Sequence, residues 1–144
     1  VFFHDIMKKI NDKFRHYTVV LLPSSNEKTA ERGFLPVKEM LHDCQLHTIE
    51  PFYKTCNHKQ SLQSFTNRRN ISQVIKKKPN VELPKTKLLL VDDVVTSGNT
   101  IRCAYDLLKE HTYKIEALTL CANPRFVESC DKKDLKRKGM FSIL

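Results

Sequence analysis

Apolar and polar positions follow two different periods along this chain. Over residues 1–14 the apolar residues fall at 2, 3, 6, 7, 10 and 14, the spacing of one helix face. No capping residue and no methionine precede that helix, so the chain is expected to begin inside an element, with upstream residues missing. Thr18 to Leu22 (TVVLL) is an apolar run of strand length, ended by the turn chemistry of Pro23-Ser24-Ser25-Asn26. Pro36 suits the first turn of a second helix, which continues through Val37, Met40 and Leu41 to about Cys44. His47 to Tyr53 is predicted as a strand. Lys54 to Asn70 has no clean period, and a polar run of that length between strands is either functional or mobile. Lys76-Lys77-Lys78-Pro79-Asn80 is expected to break the chain. The strongest run, Leu88-Leu89-Leu90-Val91, leads into Asp92 and Asp93, then Val94, Val95 and the small polar residues Thr96 to Thr100. Apolar residues at 101, 104, 105, 107 and 108 predict a helix over Ile101–Glu110. Lys114 to Leu120 (KIEALTL) is predicted as a strand. Asn123 to Leu144 has no core pattern and is expected to be a covering helix or a basic tail.

A strand that is apolar without alternation is one buried on both faces of a parallel sheet. Strands alternating with helices therefore predict an α/β fold, a parallel sheet flanked by helices. The 144 residues are enough for one domain with a real core, and the expected organisation is a single domain over 1–144. No stretch approaches the roughly 18 apolar residues of a membrane helix. The first ten residues are too polar for a signal peptide, so a cytoplasmic protein is expected. Cysteines 44, 56, 103, 121 and 130 are odd in number and form no C-x-x-C, which argues against a disulfide framework and a zinc ribbon. The net charge of +9 favours anionic partners, whether nucleic acid or phosphorylated metabolites.

The candidate chemistry sits at the end of the strongest strand. Asp92 and Asp93 can accept hydrogen bonds from hydroxyls. The loop Thr96-Ser97-Gly98-Asn99-Thr100 can direct backbone N–H groups and a helix dipole at an anion. Open α/β sheets place their ligands at the carboxyl ends of their strands. A ligand with a phosphate and a vicinal diol, such as a ribose 5-phosphate, satisfies both features. Ser24-Ser25-Asn26 forms a second strand-end rim.

LLLVDDVVTSGNT (Leu88 to Thr100) resembles the phosphoribosyl pyrophosphate-binding signature of type I phosphoribosyltransferases. Pro23, Arg32-Gly33-Phe34 and Gln60…Arg69-Asn70 further resemble the ComF family, named for competence proteins in DNA uptake. Two features depart from that family: Leu35-Pro36 stand where Asn-Gln is usual, and these 144 residues contain no cysteine pair of the kind its zinc module carries. The resemblance implies a type I phosphoribosyltransferase-like fold and phosphoribosyl transfer to an unknown acceptor. It implies that Asp92 and Asp93 are the catalytic residues and accept hydrogen bonds from the ribose 2′- and 3′-hydroxyls. Val95, Thr96, Ser97, Gly98, Asn99 and Thr100 would hold the 5′-phosphate, and Ser24, Ser25 and Asn26 the pyrophosphate. Arg32, Arg68 and Arg69 are further candidates for the substrate, the last two on a loop that closes over the site. Mg2+ would be bound mainly through substrate oxygens, with Asp92 and Asp93 as the nearest protein groups. Hypoxanthine-guanine salvage enzymes place an aspartate where this chain has Thr96, a poor base, which disfavours a 6-oxopurine acceptor. The family link to DNA uptake also allows a non-catalytic reading, a module that contacts single-stranded DNA or a helicase partner.

Overall fold

The computed structural model describes residues 2–23, 36–55, 75–95, 97–125, 127–128 and 141–143. In chain order the elements are α1 (Phe2–Phe14), β1 (Tyr17–Leu21), α2 (Pro36–His42), β2 (Thr48–Ile49) and β3 (Phe52–Lys54). They continue with β4 (Ile75–Lys77), β5 (Lys87–Val95), α3 (Asn99–Leu108), β6 (Ile115–Ala122) and β7 (Phe141–Ile143). Among the described residues, five strands form one sheet in the order β2-β1-β5-β6-β7, and every pairing in it is parallel. The strand with the longest apolar run, β5, is therefore central, where both faces are covered. This is the expected parallel sheet flanked by helices.

Alternation along the strands divides the core in two. Val20, Leu88, Leu90, Ile115 and Ala117 pack on one side against Ile101, Cys103, Ala104 and Leu108 of α3. Val19, Leu21, Leu89, Val91 and Leu118 pack on the other against Met7, Ile10 and Phe14 of α1 and Val37 and Leu41 of α2. Val19, Val20, Leu88 and Leu89 have no exposed surface. Phe52 of β3 and Ile75 of β4 join the α3 side, and the Cys103 Sγ contacts the Ile75 carbonyl oxygen at 3.8 Å. The small antiparallel pair β3–β4 is thereby docked beside α3.

A polar lock closes the amino end of the sheet. The Tyr17 hydroxyl donates to Glu116 Oε1 at 2.6 Å, and Lys114 Nζ lies 3.1 Å from the same oxygen. Lys13 Nζ lies 3.9 Å from Oε2. Burial alone would raise the Glu116 carboxyl, but the Tyr17 hydroxyl and the two lysines outweigh it and hold the group below its ordinary value. Burial and the Glu116 carboxylate push the Tyr17 phenol up.

Three stretches differ from the sequence expectation. The strand expected over His47–Tyr53 is divided: β2 joins the main sheet, while β3 pairs with β4. Pro51 stands between them with no N–H to extend a ladder, and its carbonyl accepts from Lys78 N at 2.8 Å. The expected break at Lys76–Lys78 instead overlaps β4, whose Ile75 is buried while Lys76 and Lys77 are exposed. One inward residue is too short a pattern to mark a strand. Within the expected basic tail, Phe141–Ile143 return as β7 and pair with Ala117–Thr119, whereas residues 129–140 lie outside the described ones.

The Glu116 carboxylate carries a pH-dependent share of stability. Its folded pKa is lowered, so that share is present above the ordinary value and is lost as pH falls through the folded one. Glu116→Gln is expected to cost about 1.5–3 kcal/mol at pH 7. The deficit should close below about pH 4, as read by thermal denaturation at both pH values.

Candidate functional site

The acid pair lies within β5, not beyond it. Backbone pairing with β6 continues past the acids, through Asp92↔Thr119, Val94↔Cys121 and Val95↔Ala122. Asn123 N adds a hydrogen bond of 2.8 Å to the Val95 carbonyl. The two valines between acids and loop thus extend the strand to the rim. Val95 is buried in the α3-side core, so only its main chain can face a ligand.

Asp92 and Asp93 are both half-buried. Asp93 Oδ1 accepts the Val94 N–H at 2.7 Å. Removal from water, then hydrogen bonding to Asp93 and its like charge, push the Asp92 carboxyl up to about 7. The Asp93 backbone and the Lys54 ammonium at the end of β3 pull the other way without offsetting the rise. A carboxyl held up in this way gives up its proton where a ligand brings hydroxyl donors and a cation.

Beside the acids, the chain turns through Ser97 and Gly98 into α3. Gly98 caps the helix with φ 75°, a left-handed conformation that a residue with a Cβ adopts only at a cost. Gly98 is buried, and its carbonyl accepts from Arg102 N at 2.9 Å. Ser97 Oγ takes the Asn99 N–H at 3.4 Å, while Asn99 and Thr100 are half-buried. The first turn of α3 contains no acidic residue, so no carboxylate there counters the positive end of its dipole. The helix starts at Asn99, two residues before the sequence expectation, because Gly98 supplies the cap.

Asp92, Asp93, Ser97, Gly98, Asn99 and Thr100 therefore meet at the carboxyl end of β5 and the start of α3. Ser24, Ser25, Asn26, Arg32, Gln60, Arg68, Arg69 and Thr96 lie outside the described residues. Two residues near the acids escaped the sequence reading as site residues. Lys54 was hidden in a basic segment without a period. Thr119, fully buried on β6, reads like any strand threonine. Among the described residues, no group of three or more His, Cys, Asp or Glu could hold a metal ion.

A family model described as phosphoribosyl transferase domain matches residues 52–140. Competence protein ComFC of Streptococcus pneumoniae is 30% identical over 98 residues, which cover 68% of this chain and 44% of that protein. Competence protein ComFC of Bacillus subtilis is 29% identical over 96 residues, covering 67% and 40%. The chain spans less than half the length of either, and both support the ComF resemblance. A solved adenine phosphoribosyltransferase superposes with a TM-score of 0.55 at 14% identity, over 88% of this chain and 73% of that one. At that identity the likeness is one of fold.

The raised Asp92 carboxyl has a sign that can be checked. Its folded pKa exceeds the ordinary value, so its contribution is intact at low pH and eroded as pH rises from about 4 to about 7. Asp92→Asn should stabilise the protein at pH 8 by on the order of 2 kcal/mol, since the group keeps part of its hydration. The gain should vanish near pH 4, and an equal melting-temperature shift at both pH values would contradict the buried pair.

Proposed function

The chain belongs to the phosphoribosyl transferase domain family, and from that premise we propose that it binds phosphoribosyl pyrophosphate with magnesium and transfers the phosphoribosyl group to an acceptor. One observation carries the reading: two adjacent, half-buried aspartates at the end of β5 stand beside the Gly98-capped start of α3. The acids would accept the ribose 2′- and 3′-hydroxyls. Backbone N–H groups of residues 97–100, with the Ser97 and Thr100 hydroxyls, would hold the 5′-phosphate. Thr96 would add its hydroxyl there, and Ser24, Ser25, Asn26, Arg32, Arg68 and Arg69 would serve the pyrophosphate.

The acid pair fits a hard cation that keeps most of its waters and takes its other oxygens from the substrate. Two carboxylates are too few for a protein cage, and Asp92 and Asp93 would be its nearest protein ligands. When bound, magnesium supplies charge neutralisation to the pyrophosphate. The residues of the chain do the rest. Separation of the ribose C1–pyrophosphate bond builds positive charge on the sugar, which an ionised Asp92–Asp93 pair, already holding the hydroxyls, favours. Arg68 and Arg69 would take up the negative charge of the leaving group through their planar forks. Thr96 is a poor base, so the acceptor is one that needs no aspartate at that position.

A second reading is a non-catalytic module that contacts single-stranded DNA or a helicase partner. It draws on the +9 charge and on exposed Lys76 and Lys77 of β4. Binding of that kind weakens steeply with salt, so an oligonucleotide affinity negligible at moderate salt would remove it.

Titration calorimetry with phosphoribosyl pyrophosphate and magnesium tests the first reading, and no heat of binding from the full-length protein would overturn it. Binding should release protons near pH 7, because accepting both hydroxyls ionises Asp92. Affinity should therefore rise between pH 6 and 8, by up to about tenfold per pH unit below the Asp92 pKa. Asp93→Asn should weaken binding by about ten- to a hundredfold with the fold intact, as expected on losing a charged acceptor.

A further inference from the structure

β1 and β6 flank β5 on opposite sides, and they stop at different heights. Pairing with β1 ends at Leu21↔Val91, where the Leu22 N–H donates to the Val91 carbonyl at 3.0 Å. Pairing with β6 runs on to Val95↔Ala122. Among the described residues, Asp92 to Val95 therefore have a strand along one edge only, and β6 forms a wall beside the acids.

That wall ends in a turn fastened to β5 itself. The Asn123 N–H donates to the Val95 carbonyl at 2.8 Å, and the Asn123 Oδ1 accepts the Arg125 N–H at 2.9 Å. The Asn123 carbonyl accepts from Val127 N at 3.2 Å. These bonds hold the backbone of Arg125 next to the rim of the site. Arg125 is the only cation in residues 119–128. It is exposed and enters no ion pair among the described residues, the exposed Glu128 included.

The chemistry of the transfer decides which reactant meets the β6 wall. The 5′-phosphate goes to the start of α3, and Ser24, Ser25 and Asn26, which follow β1 in the chain, serve the pyrophosphate. An acceptor that displaces pyrophosphate approaches the ribose C1 from the opposite side, which is the β6 side. Its lone pair forms the new bond to C1 while the C1–O bond breaks, and that electron pair leaves on the pyrophosphate. A ring nitrogen with a free lone pair has no proton to lose, in keeping with Thr96, a poor base. One guanidinium, with no second cation on the turn, balances one negative charge, and its planar fork fits a carboxylate.

We infer that Arg125 selects the acceptor: the second substrate is a nitrogen heterocycle bearing a carboxylate, and Arg125 receives that carboxylate from the β6 side. The inference rests on the phosphoribosyl pyrophosphate reading.

Nicotinate mononucleotide and nicotinamide mononucleotide are suitable probes, since they share the ribose and 5′-phosphate and differ by a carboxylate against an uncharged amide. Affinities of the full-length protein for both, and for phosphoribosyl pyrophosphate with magnesium, are measured by titration calorimetry in wild type, Arg125→Gln and Arg125→Lys. Wild type should hold the carboxylate nucleotide about tenfold tighter than the amide. Arg125→Gln should bring the two to equal affinity by weakening the carboxylate nucleotide alone, and Arg125→Lys should keep part of the preference. Affinity for phosphoribosyl pyrophosphate should stay within about twofold in both variants, as expected of an independent contact. A preference that survives Arg125→Gln overturns the inference. A matching loss of phosphoribosyl pyrophosphate affinity in Arg125→Gln also overturns it and moves Arg125 to the pyrophosphate. If wild type binds phosphoribosyl pyrophosphate without preferring the carboxylate nucleotide, the acceptor inference falls alone. No binding of phosphoribosyl pyrophosphate removes that reading and the inference with it.

Discussion

Carboxyl groups on consecutive strand residues normally point to opposite faces of a sheet, away from each other. In this protein Asp92 and Asp93 are both half-buried on the central strand, and burial with the neighbouring Asp93 raises the Asp92 carboxyl. Keeping them there means desolvating two like charges, which raises one pKa to near neutrality and sets a pH-dependent cost. The site is thus a region where the chain gives up stability to hold acceptors in a fixed place.

The rest of the sheet offsets that cost. Its central strands are apolar on both faces, against α3 on one side and α1 with α2 on the other. The amino end is fastened by a carboxylate in the opposite condition. Glu116 is paired with a phenol and lysines and its pKa is lowered, whereas Asp92 faces another acid and its pKa is raised. One end of the sheet holds a carboxylate paired with cations, and the other a carboxyl raised toward neutrality beside a second acid. This polarity agrees with ligands meeting open α/β sheets at the carboxyl ends of their strands.

Burial on both faces made much of this legible in the sequence. Leu88 to Val91 is apolar without alternation, which marks a strand buried on both faces. The loop after β5 could be placed because Gly98 stands among small polar residues, and it adopts a positive φ where α3 begins. Elements with one inward residue were not legible: β4 shows the core only Ile75, and β7 is three residues long at the edge of the sheet. Thr119 was hidden for another reason. A threonine in a strand is ordinary, and its hydrogen bond to the Asp93 carbonyl exists only after β5 and β6 have paired, a long-range fact that no local pattern carries.

The central claim is that Asp92–Asp93 and the start of α3 form one site for a ribose that carries a 5′-phosphate. A crystal structure of the full-length protein with phosphoribosyl pyrophosphate and magnesium tests it most directly. The expected density places the 5′-phosphate against the backbone of residues 97–100 and the ribose hydroxyls on Asp92 and Asp93. A ligand bound elsewhere, such as at the Lys13–Lys114 cluster at the opposite end of the sheet, with the acid pair untouched, would contradict it.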